Sequence, residues 1–97
     1  MLEPLSHIED YGDKIVIYVD LPFVRKEDIF IYLRKNILEI KATAKSTPHF
    51  GFFEYKSFKK IIKLPCEVEE KTAKAKFQNG ILKIILKKKI KGEIRVI

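Results

Sequence analysis

The sequence predicts an all-β protein, an antiparallel β-sandwich of seven to eight short strands. Apolar and polar residues alternate with a period of two through most of the chain, the pattern of a strand with one buried face. Turn-forming residues interrupt this alternation about every ten residues. No stretch has the period of an amphipathic helix of three turns. Together these observations favour two packed sheets over a helical or mixed fold.

The length and composition of the chain fit one small domain. It has 97 residues, of which 46% are hydrophobic and 11% aromatic, too many for a disordered chain. No apolar run approaches the roughly 20 residues of a membrane span, and the N terminus lacks the layout of a secretory signal. The single cysteine, Cys66, fits a reducing compartment. We therefore expect a cytoplasmic protein.

The first long strand is predicted at residues 14–21. Nearly every position there is β-branched, aromatic or otherwise apolar. Such density predicts a strand that is covered on much of both faces. Pro22 cannot donate a hydrogen bond to a neighbouring strand and ends the run. The charged residues 25–28 are too few for a helix and predict a single turn.

A hairpin is predicted next. Apolar residues at 29, 31 and 33 alternate with their neighbours, which indicates a half-buried strand over residues 29–34. Lys35 and Asn36 link it to a second strand at 37–42. Asn tolerates the positive φ that a two-residue turn needs, so we expect a tight connection.

The central segment 43–54 interrupts the alternation and carries three phenylalanines, Phe50, Phe52 and Phe53, among loop-forming residues. Three such side chains are unfavourable in water. From the residues alone, two arrangements are open: they fold back on their own core, or they cover a partner.

The second half of the chain returns to strands. Period two resumes at residues 55–64 and ends at Pro65, and the polar segment 67–72 predicts a turn or a short 3₁₀ segment. Residues 73–77 place Ala75 and Phe77 on one face.

The strongest hairpin signal of the chain is Asn79 followed by Gly80. Both residues accept the positive φ of a type I′ turn, so a strand at 81–86, which includes Leu82, is expected to pair back on residues 73–77. A lysine-rich tail follows and ends in an apolar patch that contains Ile94 and Val96.

The formal charge of +7 does not by itself indicate nucleic-acid binding. The 20 basic residues are interspersed with 13 acidic ones, and the lysine clusters within 56–63 and 87–91 fit a solvated strand face and a tail. Abundant Lys with only three amide side chains, Asn36, Gln78 and Asn79, is typical of heat-loving organisms, and we expect such a source.

No constellation for catalysis is found in the sequence. His7, His49 and Cys66 have no metal-ligand spacing, and the four glycines are too isolated for a phosphate-binding loop. We therefore predict no catalytic residues, no cofactor-binding residues, no metal site and no enzymatic activity.

The segment A-K-F-Q-N-G-I-L at residues 75–82 resembles the A-x-x-x-N-G-V-L signature of the small heat shock protein (α-crystallin, Hsp20) family. Four further segments resemble motifs of that family in the same order: P-L-S-H-I at 4–8, V-D-L-P and K-E-D-I at 19–22 and 26–29, F-K-K-I-I-K-L-P at 58–65, and I-R-V at 94–96. The resemblance covers almost the whole chain. It implies an immunoglobulin-like sandwich, the α-crystallin domain, over residues 1–87, with a C-terminal extension at 88–97 that carries an I-x-V anchor.

The resemblance also implies a function. Members of this family are ATP-independent chaperones (holdases) that bind unfolding proteins and prevent their aggregation. They assemble as homodimers and higher homo-oligomers, without a cofactor, a specific nucleic acid or a membrane span. In the family the anchor, here Ile94 and Val96, binds a groove between two edge strands of an adjacent dimer. The implied lining of that groove consists of Ile31, Leu33, Ala75 and Phe77.

Two dimer modes are compatible with the resemblance. In one, a strand of the central loop is exchanged, and Phe50, Phe52 and Phe53 cover the partner's first strand at residues 5–9. In the other, the strands at 55–64 of two chains pair. The short central loop keeps the second mode open.

The chain departs from the family pattern in places. Phe23 replaces the usual glycine, Lys60 replaces a common arginine, and the N-terminal arm is nearly absent, as expected of a trimmed chain or a minimal, archaeal-like member. Two alternative functions remain open: a p23-like co-chaperone sandwich that docks on a folded partner, and a basic module for single-stranded nucleic acid.

Overall fold

The computed structural model describes residues 2–45 and 55–89. In these ranges the chain forms seven strands and one 3₁₀ turn, and no helix there is long and apolar enough to cross a membrane. The elements in chain order are β1 (Ser6–Asp10), β2 (Lys14–Asp20), β3 (Val24–Arg34), β4 (Ile37–Lys45), β5 (Tyr55–Lys63), the 3₁₀ turn (Glu70–Thr72), β6 (Lys74–Gln78) and β7 (Ile81–Lys87).

The strands form two antiparallel sheets. One sheet has four strands in the order β1-β2-β7-β6, and the other has three in the order β3-β4-β5. The predicted all-β antiparallel sandwich is therefore confirmed. Its sheet edges are β1 and β6 in the four-stranded sheet and β3 and β5 in the three-stranded sheet.

The core lies between the sheets and is built largely from alternate residues of β2, β4 and β7. Ile15, Ile17 and Val19 of β2 face it and are inaccessible to solvent. Val16 points to the other side of β2 and is also buried, at 4% exposure, so the predicted covering of both faces is found at the middle of β2, whereas Lys14 and Asp20 at its ends are exposed. The full set of core residues is Ile15, Ile17, Val19, Leu21, Val24, Leu38, Ile40, Ala42, Ala44, Ile62, Leu64, Val68, Leu82, Ile84 and Leu86.

The two predicted hairpins form, with one difference in turn chemistry. Asn79 and Gly80 both have positive φ, 52° and 76°, as the Asn-Gly pair predicts. In the β3–β4 turn the positive φ falls on Lys35, at 54°, and not on Asn36. The backbone N–H of Leu21 donates to the Gly80 carbonyl at 2.8 Å and ties the β6–β7 turn to the end of β2.

The prediction that residues 25–28 form a separate turn is wrong, because they lie within β3. Val24 pairs with Ala44 and Ile29 pairs with Ala42, so β3 has extra residues in this interval and bulges away from β4. The Arg25 Nε donates to the Asp28 Oδ2 at 3.0 Å across the bulge. Extended backbone is compatible with this charged run because a bulge exposes its side chains to water.

The N-terminal residues close one side of the sandwich. The Leu2 N–H donates to the Ser57 carbonyl at 2.8 Å, and the Lys59 N–H donates to the Leu2 carbonyl at 2.9 Å. A few residues on, the Leu5 carbonyl accepts from the Asp20 N–H at 2.9 Å. The segment thus crosses from the β5 edge of one sheet to the β1–β2 edge of the other.

Candidate functional site

The opposite side of the sandwich, between the edge strands β3 and β6, contains an open apolar groove of about 320 Å³. Ile31 and Leu33 of β3 form one wall, and Ala75 of β6 lies on the other. Each wall is backed by its cross-strand neighbour, since Leu33 pairs with Leu38 and Ala75 pairs with Ile84. Leu38, Ile84 and Leu86 reach the groove from the core.

The groove is open because the two sheets end here without a covering segment among the described residues. Ile31 and Leu33 alternate toward the core as in a normal strand, but they remain half-buried. Ala75 is exposed. A small side chain at the edge of one sheet and branched side chains at the edge of the other leave an apolar surface that another extended chain could cover.

Three of the four predicted lining residues, Ile31, Leu33 and Ala75, are brought together at this groove. Phe77 lies on the same face of β6 as Ala75, two residues further along the strand, but it does not line the groove. It is half-buried and packs against the core.

The structure adds lining residues that the motifs did not indicate: Glu70, Ala73 and Lys74. They come from the 3₁₀ turn and the start of β6. The Glu70 Oε1 accepts from the Lys35 N–H at 3.1 Å and so connects the 3₁₀ turn to the β3–β4 hairpin at this end of the groove. Lys35 and Glu70 are 35 residues apart in sequence, so no local sequence pattern predicts this contact.

A second apolar surface lies on the outer face of the three-stranded sheet. Around Glu39 of β4, which is within 3.5 Å of the Lys41 Nζ and 3.9 Å of the Lys59 Nζ, four large side chains are about half-exposed. They are Phe30, Tyr32, Ile37 and Ile61. The alternation in β3 predicted that Phe30 and Tyr32 point away from the core, but not that β4 and β5 would place further apolar residues beside them.

The groups with displaced pKa values belong to surface contacts outside the groove. The hydrogen bond from the Lys88 Nζ to Asp10, at 2.9 Å, lowers the pKa of Asp10 and raises that of Lys88. A hydrogen bond from Tyr11 lowers the pKa of Glu9 and raises the pKa of the Tyr11 hydroxyl. These contacts brace strand ends and prepare no group for proton transfer in the groove.

A contact between the Lys60 Nζ and the Glu3 Oε1, at 2.8 Å, lowers the pKa of Glu3 in the same way. Lys60 therefore helps to hold the N-terminal segment against β5. It does so at a position where the motif at residues 58–65 more commonly has an arginine. Within residues 2–45 and 55–89 no group of three or more His, Cys, Asp or Glu is placed to hold a metal ion.

The remaining predicted site residues divide into two groups. Asn79, Gly80 and Leu82 form the β6–β7 hairpin and its first core contact. The central-loop residues Phe50, Phe52 and Phe53 and the anchor residues Ile94 and Val96 lie outside the described residues.

A family model described as "Hsp20/alpha crystallin family" matches residues 7–97. Small heat shock protein C2 of Rickettsia felis is 31% identical to the chain over 103 residues, covering 99% of this chain and 67% of that protein. Small heat shock protein C4 of the same organism is 31% identical over 104 residues, covering 100% of this chain and 64% of that protein. The chain thus spans about two thirds of the length of these relatives.

The fold is also similar to that of a solved small heat shock protein. The crystal structure of a small heat-shock protein from Xylella fastidiosa superposes with a TM-score of 0.77 at 29% sequence identity, covering 97% of this chain and 93% of that chain.

Proposed function

The chain belongs to the Hsp20/alpha crystallin family, and from this premise we propose that it acts as an ATP-independent holdase that binds unfolding proteins and keeps them from aggregating. A chaperone role follows from the family. We further propose that no residue performs catalysis, that the protein works in the cytoplasm, and that its lysine-rich, amide-poor composition reflects a heat-loving source.

The observation that carries the proposal is the open groove between β3 and β6, with Ile31, Leu33 and Ala75 on its walls. An unfolding protein exposes extended apolar segments, and a groove between two strand edges fits such a segment. Burial of two aliphatic side chains there contributes about 3–5 kcal/mol before the segment is ordered. After that entropic term the contact is weak enough to be reversible, which a holdase requires.

The chain's own tail is the proposed competitor for the same surface. Ile94 and Val96 are two residues apart, so in an extended segment both side chains point to one side and can enter one groove. We propose that they bind the groove of a neighbouring protomer and build oligomers larger than a dimer. Clients and tails then compete, and release of a tail exposes a groove.

For the dimer we propose exchange of a central-loop strand that carries Phe50, Phe52 and Phe53. Two edges support this choice over pairing of the strands at 55–64. The outer edge of β1 has no partner strand among the described residues, whereas Leu2 already pairs with β5 at Ser57 and Lys59.

The two alternative functions are not favoured. The relatives found along the chain are small heat shock proteins, which supports neither a p23-like co-chaperone nor a nucleic-acid module. In β5 the aromatic residue between the lysines, Phe58, packs against the core. It is therefore not free to stack on a base.

The holdase proposal is tested by heating an aggregation-prone client with increasing amounts of the protein in the absence of ATP. Suppression of light scattering near equimolar ratio is expected, and scattering that persists at molar excess would refute holdase activity. Ala75→Glu places a charge among the apolar walls, so weaker suppression and smaller oligomers are expected. Gln78→Glu adds the same charge to the same strand outside the groove and is the matched control.

A further inference from the structure

The edge strand β6 has two chemically different sides. Ala75 points into the groove, whereas Lys74 and Lys76 alternate with it on the outer side of the strand, and Lys74 also lies at the rim of the groove. In the strand register, Lys76 lies opposite Lys83 and Lys74 lies opposite Ile85 of β7. The apolar groove is therefore bordered along β6 by a row of positive charge.

This charge continues across the outer face. Lys14 of β2 lies opposite Lys87 of β7, which brings the number of lysines on the face to five: Lys14, Lys74, Lys76, Lys83 and Lys87. None of the five forms an ion pair with a carboxylate of the described residues. The Nζ atom of Lys14 instead lies 5.6 Å from the ring centre of Tyr11, and the Nζ atom of Lys83 lies 5.9 Å from the ring centre of Tyr18.

Like charges directly opposite each other on neighbouring strands, as at Lys76 and Lys83, destabilise a sheet. Lysines along an edge strand also hinder the addition of another strand, a known protection against aggregation. The hindrance depends on charge, however, because a strand that brings carboxylates to the same positions replaces repulsion with attraction.

Strand geometry predicts which side chains are favoured in an extended segment that pairs with β6. In an extended segment that pairs with the free edge of β6, every second side chain lies on the groove side beside Ala75. The side chains between them lie on the outer side, where Lys74 and Lys76 are found, and the Cβ atoms of directly opposite residues are about 4.5–5.5 Å apart. Apolar residues are favoured at the first set of positions, and acidic residues at the second.

We propose that the groove selects client segments in which apolar residues alternate with Asp or Glu. This inference rests on the proposed use of the groove for extended segments. In the chain's own tail the intermediate positions hold Lys91, Glu93 and Arg95, two basic residues and one acidic residue, and the basic Arg95 lies between the anchor residues Ile94 and Val96. The tail is therefore a weak occupant that leaves when an acidic client segment arrives, and the cationic border sets the direction of the exchange.

The experiment uses the full-length chain with Ile94→Ala and Val96→Ala, so that its own anchor does not occupy the groove. Fluorescently labelled peptides of the tail sequence 90–97 are compared with their R95S and R95E variants by anisotropy. We expect R95E to bind tightest and the unchanged peptide weakest, with a roughly tenfold difference at low salt. The difference should shrink at about 1 M salt, where the screening length falls to about 3 Å.

Variants of the protein locate the selecting charges. Lys74→Glu with Lys76→Glu should reverse the peptide order, and Lys76→Gln should reduce the preference without reversing it. Lys87→Glu changes the same charge on the same face but on β7, away from the groove, and should preserve the order.

The outcomes separate the two claims. Equal, measurable affinity for the three peptides, or an unchanged order in the Lys74 and Lys76 variants, overturns charge selection while the groove remains a binding site. Failure of every peptide to bind overturns the proposed use of the groove, and the selection with it.

Discussion

Truncation of one groove wall should separate stability from binding. Leu33 of β3 lines the groove and is half-buried, whereas Leu64 has 2% exposure, belongs to the core and does not line the groove. Leu33→Ala and Leu64→Ala remove the same atoms from these two environments. The first should mainly weaken the binding of extended segments, and the second should mainly weaken the fold.

The magnitudes follow from burial. Leu64→Ala should reduce the free energy of unfolding by about 2–5 kcal/mol, as large-to-small changes in a packed core do. For a domain of this size that lowers Tm by roughly 10 °C or more. Leu33 already loses less surface on folding, so Leu33→Ala should reduce stability by only about 1–2 kcal/mol. It removes one of the few apolar walls, however, so binding of the tail peptide 90–97 should weaken about tenfold.

Thermal unfolding followed by circular dichroism measures the first quantity, and peptide anisotropy measured well below both Tm values gives the second. The expected pattern is a crossed one, with the larger Tm loss in Leu64→Ala and the larger affinity loss in Leu33→Ala. If Leu33→Ala binds the peptide as tightly as Leu64→Ala does, the groove between β3 and β6 is not where extended segments bind.

Three further predictions concern turns and surface charge. Gly80→Ala should lower the free energy of unfolding by roughly 1–2 kcal/mol through backbone strain at its φ of +76°, because a Cβ there meets no atom closer than 3.9 Å and so causes no clash. Gly12→Ala, at φ +90° in open space, should have a similar effect, and an unchanged Tm in both variants would contradict the argument. Phe23 has φ 62° and is 86% exposed, so Phe23→Gly should relieve roughly 1 kcal/mol of backbone strain. A higher Tm is expected, and a lower Tm would show that the Phe23 ring makes a stabilising contact. Asp10→Asn should lower Tm near neutral pH by removing the ion pair with Lys88. Because the pKa of Asp10 is lowered in the folded state, this stabilisation is present above the unfolded-state pKa and is lost as the pH falls through the folded-state pKa. The Tm values of wild type and variant should therefore converge in acid, and a difference that persists there would refute the charge argument.

Much of the fold could be predicted because its rules are local. Alternation along residues 14–21 indicated which side chains of β2 enter the core, and the Asn79–Gly80 pair indicated the β6–β7 hairpin. The charged run 25–28 misled for the same reason. Its composition is typical of a turn, but the pairing of Val24 with Ala44 and of Ile29 with Ala42 keeps it in a bulged strand.

The candidate site could be predicted only in part. Alternation placed Ile31 with Leu33 on one face of their strand and Ala75 with Phe77 on one face of theirs, and the family resemblance assigned all four to one groove. The structure brings the first three together, but Phe77, at the same parity as Ala75, packs against the core instead. Alternation predicts the face of a strand on which a side chain lies. It does not predict whether another part of the chain covers that face at that position along the strand.

What the sequence alone determined is therefore the set of strands, their faces, two of their turns and the family to which the chain is similar. These depend on backbone preferences and on side chains a few residues apart. Only the tertiary structure decided which sheet edges meet, because Ile31 and Ala75 are 44 positions apart and share no local pattern. It also decided which side stays open: the hydrogen bonds of Leu2 to Ser57 and Lys59 close the β5 side, and the β3–β6 side is left as an apolar groove bordered by lysines.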